Sequence, residues 1–415
     1  MADPTLLSVL KDRAVAPLFV ARATSATGNG FGRVALAWGA LHLGYGAGGL
    51  SLVLACQALP QLLLVLVGGI IGDRFRRQHV LVDADVLAAA TWSALAVAFT
   101  GWEAPLALVA GLAVLTGVAT AMFTPAAEGI IADLVHGDRR PVANALLRQS
   151  TSTGLIIGLA LSGLVVAVLG PAWAAGLNAA SFAGSAGLLT RLVIPARRRT
   201  TAPLLAELRS GWREFATREW LWVLSLQYTA VIAASSAFVG VLGPLYVAAG
   251  NGGSRAWGVM AGCQSLGTLL GGGLAARLRP RRPILVAVLV TAPSAAPMLL
   301  VGLDTPWTVV AAVMLICGTC QTIFGVLWST AVQNDVPSEA LSRVASWDLL
   351  GALALAPLGL LVAGPIASAV GVEATAAASA VLVLGATAGA LVSGQVRRFG
   401  APAADDQEVG EPVGT

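Results

Sequence analysis

Charge is scarce in this chain. Only 11% of its 415 residues are Asp, Glu, Lys or Arg, where a soluble domain carries about 25%. With 57% hydrophobic residues and a mean hydropathy of +0.81, it cannot cover itself with a polar surface. That excludes a soluble globular protein and leaves a polytopic membrane protein. Lysine is nearly absent: Lys11 is the sole one. The three histidines, His42, His79 and His136, all fall near loops. The four cysteines, Cys56, Cys263, Cys317 and Cys320, all fall in apolar runs, so the redox-like spacing Cys317-Gly-Thr-Cys320 reads as packing. No Ser/His or Cys/His arrangement, metal-ligand set or phosphate loop is present, so neither an enzyme, a cofactor, a metal site nor direct ATP drive is expected. The first apolar run follows a polar "KDR" and is too long for a cleavable signal peptide.

What is abundant is the long apolar run. Twelve occur, at 15–43, 49–72, 80–100, 105–128, 146–169, 172–193, 220–248, 256–276, 283–302, 307–330, 346–369 and 374–394. Each reaches the length of about 20 residues that a spanning helix needs, and none alternates with the period of a spanning strand. A net charge of +4 and pI of 9.2 do not point to nucleic acid, because the positive charges sit in alternate loops. One set of loops holds Lys11, Arg13, Arg74, Arg76, Arg77, Arg139, Arg140, Arg197–Arg199, Arg209, Arg213, Arg218, Arg277, Arg279, Arg281, Arg282, Arg343, Arg397 and Arg398; the other holds only Arg255. The positive-inside rule then places both termini in the cytoplasm. Heavy Ala, Gly and Arg usage suggests a bacterial source, hence the bacterial plasma membrane.

One loop is long. Leu204, Leu205, Leu208, Trp212 and Phe215 recur at helical spacing between charges, the pattern of an amphipathic helix on the cytoplasmic leaflet. The expected division is a six-helix bundle over 1–193, a linker over 194–219, a second bundle over 220–400, and a disordered acidic tail over 401–415. The bundles correspond in sequence. "GGIIGDRFRRQ" at 68–78 matches "GGGLAARLRPRR" at 271–282, and "IIADLVHGDRRPVANAL" at 130–146 matches "AVQNDVPSEALSRVASW" at 331–347. Two parallel repeats imply a pseudo-two-fold axis along the membrane normal and a substrate path between them.

These residues resemble the major facilitator superfamily over nearly the whole chain. The loop between runs two and three reads Gly69-Ile-Ile-Gly72-Asp73-Arg74-Phe75-Arg76-Arg77-Gln78, close to that superfamily's Gly-x-x-(Ala/Gly)-Asp-Arg-x-Gly-Arg-(Arg/Lys) signature. The stretches "FTPAAEGIIADLV…ANALLRQS", "GPAWAAGLNAASF" and "VQNDVPSEALSRVASWDLLGALALAPLG" are similar to the branch of proton-driven drug and siderophore exporters. Two places depart from that branch. Gly158-Leu159-Ala160-Leu161-Ser162-Gly163 stands without proline where its antiporters have Gly-Pro-x-x-Gly-Gly, and Asn29 stands where an acid is frequent in span one. The resemblance implies an all-α fold of twelve spans in two pseudo-symmetric bundles. It also implies that Gly69, Gly72, Asp73, Arg74 and Arg77 act as a conformational latch against span eleven; Arg74, Arg76 and Arg77 suit positive-inside anchoring equally well.

The remaining candidates come from the residues themselves. An arginine at membrane depth costs about 2.5–3.5 kcal/mol on insertion scales. Arg33 should therefore line a cavity or meet an acid, while Arg22, nearer the end, can snorkel. Arg22, Ser25, Asn29 and Arg33 share one helical face. Thr116, Thr120, Thr124 and Glu128 form a polar stripe whose threonines can also bond their own helix. Glu128 and Asp348 are the expected proton carriers, with Arg148 a local partner for Glu128; Asp83, Asp85 and Asp348 also suit helix capping. The expected substrate cavity takes Asn29, Arg33, Trp38, Gln57, Gln61, Thr116, Thr120, Gln227, Tyr228, Gln264, Gln321 and Trp328. Trp102, Trp173, Trp220, Trp222, Trp257 and Trp307, near span ends, read as interface anchors. The expected activity is export of small amphipathic organic molecules by a monomer embedded in lipid, with protons as coupling ion. Facilitated import of a metabolite such as a sugar is the alternative.

Overall fold

The computed structural model describes residues 15–74, 77–100, 103–135, 140–192, 212–213, 215–250, 252–336 and 341–399; the side chains of 64–74, 77, 125, 128–129, 131–133, 140–141 and 341–354 are left aside. Among the described residues the chain runs in twelve helical rods. The first six are α1 (Ala16–His42), α2 (Gly46–Arg74), α3 (Arg77–Ala98), α4 (Leu106–Leu134), α5 (Arg140–Leu169) and α6 (Pro171–Leu189). The second six are α7 (Glu219–Ala248), α8 (Gly253–Ala275), α9 (Pro283–Gly302), α10 (Trp307–Asp335), α11 (Leu341–Val370) and α12 (Val372–Val392). A short α13 (Gly394–Arg398) follows. Eight of these rods contain a stretch long and apolar enough to cross a membrane. Large aliphatics such as Val168, Leu303 and Val392 are more than 70% exposed on the outside of the bundle, as suits lipid contact. The chain is a multi-pass membrane protein.

Two rods are interrupted where proline removes an amide. Pro244 cannot return a hydrogen bond to Gly240, and α7 widens into a π turn over Phe238–Leu242. In α9 a 3₁₀ turn spans Ala292–Ala295. Pro297 has no amide for the Pro293 carbonyl, which instead accepts from Ala296 N–H and, at 3.1 Å, from the Cys317 thiol. The four cysteines are free thiols, as the packing reading expects.

The packing pattern of the first six helices recurs in the second six. α1 packs on α5 and α6, α2 on α4, and α3 on α4 and α6; α7 packs on α11 and α12, α8 on α10, and α9 on α10 and α12. Local details repeat too. The Tyr45 hydroxyl donates to the Ala104 carbonyl and the Tyr246 hydroxyl to the Thr305 carbonyl, each reaching 59 residues along the chain. Gly170, with φ of 88°, precedes α6, and Gly371, with φ of 93°, precedes α12. Both sit in the left-handed half of the φ range, where a side chain is strained. The two sets meet through α2 on α11 and α5 on α8.

Entry to the second set is pinned at the end carrying the basic loops. Arg218 Nε lies 3.2 Å from Asp335 Oδ2, and Trp220 donates its indole N–H to the same oxygen at 3.1 Å. Trp220 is thus 3% exposed and hydrogen-bonded inside the protein, not an interface anchor; Trp257 is equally buried. Trp173 and Trp222 are exposed, at 62% and 42%. Of the long loop, Trp212 and Phe215 are described, their rings stacked 5.9 Å apart; Leu204, Leu205 and Leu208 lie outside the described residues, as do Trp102 and the tail.

The apolar core is not uniform from end to end. Away from the basic loops one buried cluster runs through both sets, from Phe31, Leu36 and Leu54 to Val231, Met260 and Ala363. At the basic end there are two separate clusters. One holds Leu18, Phe19, Leu81, Ile130 and Leu189 from the first set; the other holds Phe215, Leu224, Ile284, Phe324 and Val396 from the second.

Candidate functional site

Where the core is continuous, the two sets touch backbone to backbone. A Cβ on Gly163 of α5 would stand 2.6 Å from the Cα of Gly258 in α8, closer than any real side chain comes. On the other diagonal the Gly364 amide of α11 donates to Ser51 Oγ of α2 at 2.7 Å. These contacts seal one end. Gly158, in the stretch that lacks the antiporter proline, lies against α1, where a Cβ on Gly30 would meet its Cα at 2.7 Å. Small residues therefore let α5 approach α1 and α8 closely.

Below the seal lies a central cavity of about 590 Å³. α1, α2 and α5 of the first set line it, with α7, α8, α10 and α11 of the second. It gathers Arg33, Gln57, Gln61, Tyr228, Gln264 and Gln321 from the expected set, together with Trp257, Ser235, Ser236 and Thr268, among aliphatic side chains such as Leu155 and Val231. Among its described lining residues Arg33 is the one charged group. Gln57 is held by donating from Nε2 to Thr116 Oγ1 at 3.2 Å. A second opening of about 600 Å³, lined by Arg22, Asn144, Leu147, Arg148, Thr151 and Ser152, continues toward the basic end; Ser152 borders both.

The remaining expected cavity residues go elsewhere. Gln227 is 3% exposed, with Nε2 donating to Thr291 Oγ1 at 2.6 Å and Thr387 Oγ1 at 3.3 Å, so it ties α7 to α9 and α12. Thr116 is buried and bonds the Ala113 carbonyl; Thr120 bonds the Thr116 carbonyl and Thr124 the Thr120 carbonyl. Those last bonds follow the self-satisfying pattern of threonine in a helix. Trp38 packs against the continuous core. Trp328 stacks on Phe324, centroids 6.2 Å apart, and meets Trp220 edge-on in the basic-end cluster of the second set. Gly69, Gly72, Asp73 and Arg74 fall on the last turns of α2 and Arg77 opens α3, but their side chains, and those of Glu128 and Asp348, lie outside the described residues. Arg148 is exposed in the second opening.

A separate polar pocket sits inside the first set. It has a volume of about 120 Å³ and is lined by Arg22, Ser25, Asn29, Asp85, Thr120 and Thr124 with Phe123 and Phe182. Asn29 thus belongs here and not in the central cavity. Arg22 does not snorkel free; its guanidinium carbon lies 4.8 Å from the Phe123 ring centroid. Asp85 is 1% exposed, and its charged and polar neighbours are Arg22 of α1 and Ser185 of α6. Asp85 does not cap α3, because that helix starts at Arg77 and the carboxylate lies about 12 Å along it. Sequence position alone suggested a cap. The helical phase would have shown otherwise: Leu81, Ala84, Asp85, Ala88, Trp92 and Leu95 form one buried stripe, and Asp83 falls off it.

A transmembrane bundle with a central cavity between two repeated six-helix sets defines a membrane transporter. Residues 18–350 match the Major Facilitator Superfamily, and the chain belongs to that family. Among curated relatives it is 28% identical over 375 residues to the multidrug efflux pump Tap of Mycolicibacterium fortuitum, covering 86% of this chain and 90% of the relative. It is 27% identical over 381 residues to Tap of Mycobacterium tuberculosis, covering 85% and 86%. A shorter match, 29% over 146 residues, is to the staphyloferrin A transporter of Staphylococcus aureus, covering 34% of this chain and 36% of that one. The fold is similar to that of the nucleoside transporter NupG, with TM-score 0.74 at 12% identity over 92% of this chain and 98% of that one. It is also similar to a bacterial homologue of the human lysosomal transporter Spinster, with TM-score 0.72 at 16% identity over 94% and 98%.

Proposed function

We propose that this transporter is a secondary exporter of small amphipathic organic molecules, that it works by alternating access, and that it exchanges substrate for protons. The observation that carries the reading is the divided core. Joined at one end and split at the other, the two helix sets can rock about the cavity between them, closing the open end as the sealed end parts. With the basic loops in the cytoplasm, the cavity faces inward, the side from which an exporter loads. The twelve rods are then twelve spans with both termini cytoplasmic in the bacterial plasma membrane. The bundles are divided at 194–219, and the chain acts as a monomer. Similarity to the Tap multidrug efflux pumps over most of both chains supports outward transport.

Asp85 supports proton exchange. It is enclosed beside Arg22 on α1, and Ser185 on α6 interacts with it. α4 lines the same pocket with Thr120, Phe123 and Thr124. A carboxylate so placed can alternate between pairing with the guanidinium and holding a proton, and the pocket changes shape as α1 moves. Glu128 and Asp348 remain the proposed second carriers. The latch motif from Gly69 to Arg77 is proposed to stabilise the inward-facing form through span eleven.

Dye retention in whole cells tests the reading. Cells expressing the protein should hold less ethidium or fluorescein than controls, and a protonophore should erase the difference. Higher retention of both dyes than in controls would mean import.

A further inference from the structure

We propose that the central cavity is a binding site for anionic amphipathic molecules, with Arg33 as the residue that holds their acidic group. This rests on the exporter reading for direction but not for binding. Arg33 stands about 26 Å along α1 from the end at Ala16, past the middle of the rod. It is more than a third exposed, and that exposure is to the cavity. Among the described residues it makes no hydrogen bond or ion pair. A guanidinium keeps its charge under all physiological conditions and offers a planar fork of donors. Left unopposed inside a membrane protein, it creates a positive potential across a confined space with low-dielectric walls.

The rest of the lining does not cancel that potential. Its other polar groups are neutral: the amides of Gln57, Gln61, Gln264 and Gln321, with a few hydroxyls. No carboxylate occurs among the described lining residues. On the α11 backbone Asp348 lies about 12 Å nearer the basic end than Ala356, which does line the cavity. An organic cation entering here would meet like charge and, among the described residues, no carboxylate to pair it. A carboxylate, sulfonate or phenolate would find a two-pronged charge-assisted partner in Arg33, amide donors for its remaining oxygens, and aliphatic walls with Trp257 for its hydrocarbon part. The cavity volume suits a ligand of drug size.

Equilibrium dialysis against the purified full-length protein in lipid nanodiscs tests this, with fluorescein as the anionic probe and ethidium as the cationic one. Fluorescein should bind at least about tenfold more tightly than ethidium. Arg33→Gln should weaken fluorescein by about tenfold or more and leave ethidium unchanged or tighter, and Arg33→Lys should fall between. Equal or tighter binding of ethidium to the wild type would overturn the proposal, as would unchanged fluorescein binding in Arg33→Gln. The wild-type comparison decides even where a variant fails to fold. Because dialysis measures binding alone, failure of outward transport would refute the exporter reading without altering this result.

Discussion

Asp83 and Asp85 are two positions apart and live in opposite surroundings. Asp83 is exposed, while Asp85 is enclosed with Arg22 and Ser185. If Asp85 carries the proton, Asp85→Asn should abolish accumulation driven by a pH gradient while leaving energy-independent dye exchange within about twofold of wild type. Asp85→Glu should restore part of the driven rate. Equal driven accumulation in Asp85→Asn and wild type would remove the residue from coupling. Gln227 makes the contrary case: a polar residue in a span that looks like a ligand contact and is a structural tie. Gln227→Ala should lower the thermal midpoint, costing about 1–3 kcal/mol for the two buried hydrogen bonds it removes, with dye affinity unchanged in dialysis. The sequence read Asp85 as a helix cap and Gln227 as a cavity residue. It could not say which neighbour each would meet, because that depends on helix rotation, and rotation is set by small-residue contacts spread over distant helices.

At the scale of the element, the helices were legible because each is a run of apolar residues about as long as a membrane is thick. The third run read as 80–100, whereas α3 begins at Arg77; those three residues turned Asp85 from an apparent cap into an interior carboxylate. The π turn before Pro244 and the 3₁₀ turn before Pro297 were foreshadowed by the prolines but not their geometry. Gly163 and Gly258 mattered more than their positions in sequence suggested, since a glycine's role depends on what lies opposite. A bulky residue at either place cannot coexist with the sealed end. Gly258→Val should therefore shift the transporter toward an outward-open form, raising the outside accessibility of a cysteine placed at Ser235 by about tenfold under alkylation from the periplasmic side. An unchanged alkylation pattern would show that the Gly163–Gly258 contact is not part of the gate.

At the scale of the whole molecule, the repeat was readable in two motif pairs, and the structure extends it to helix pairings and to the twin Tyr45–Ala104 and Tyr246–Thr305 bonds. The division of the core was not readable, because it is a property of one conformation, and the proposed alternating access requires the sequence to serve at least two. That division is the basis of the transport account. The most direct test is dye uptake into inverted membrane vesicles, in which the cytoplasmic face looks outward. With the vesicle interior made acidic, fluorescein should accumulate inside above the level in vesicles lacking the protein, and a protonophore should release it. No accumulation of fluorescein or ethidium above that level, or accumulation indifferent to the protonophore, would contradict proton-driven export.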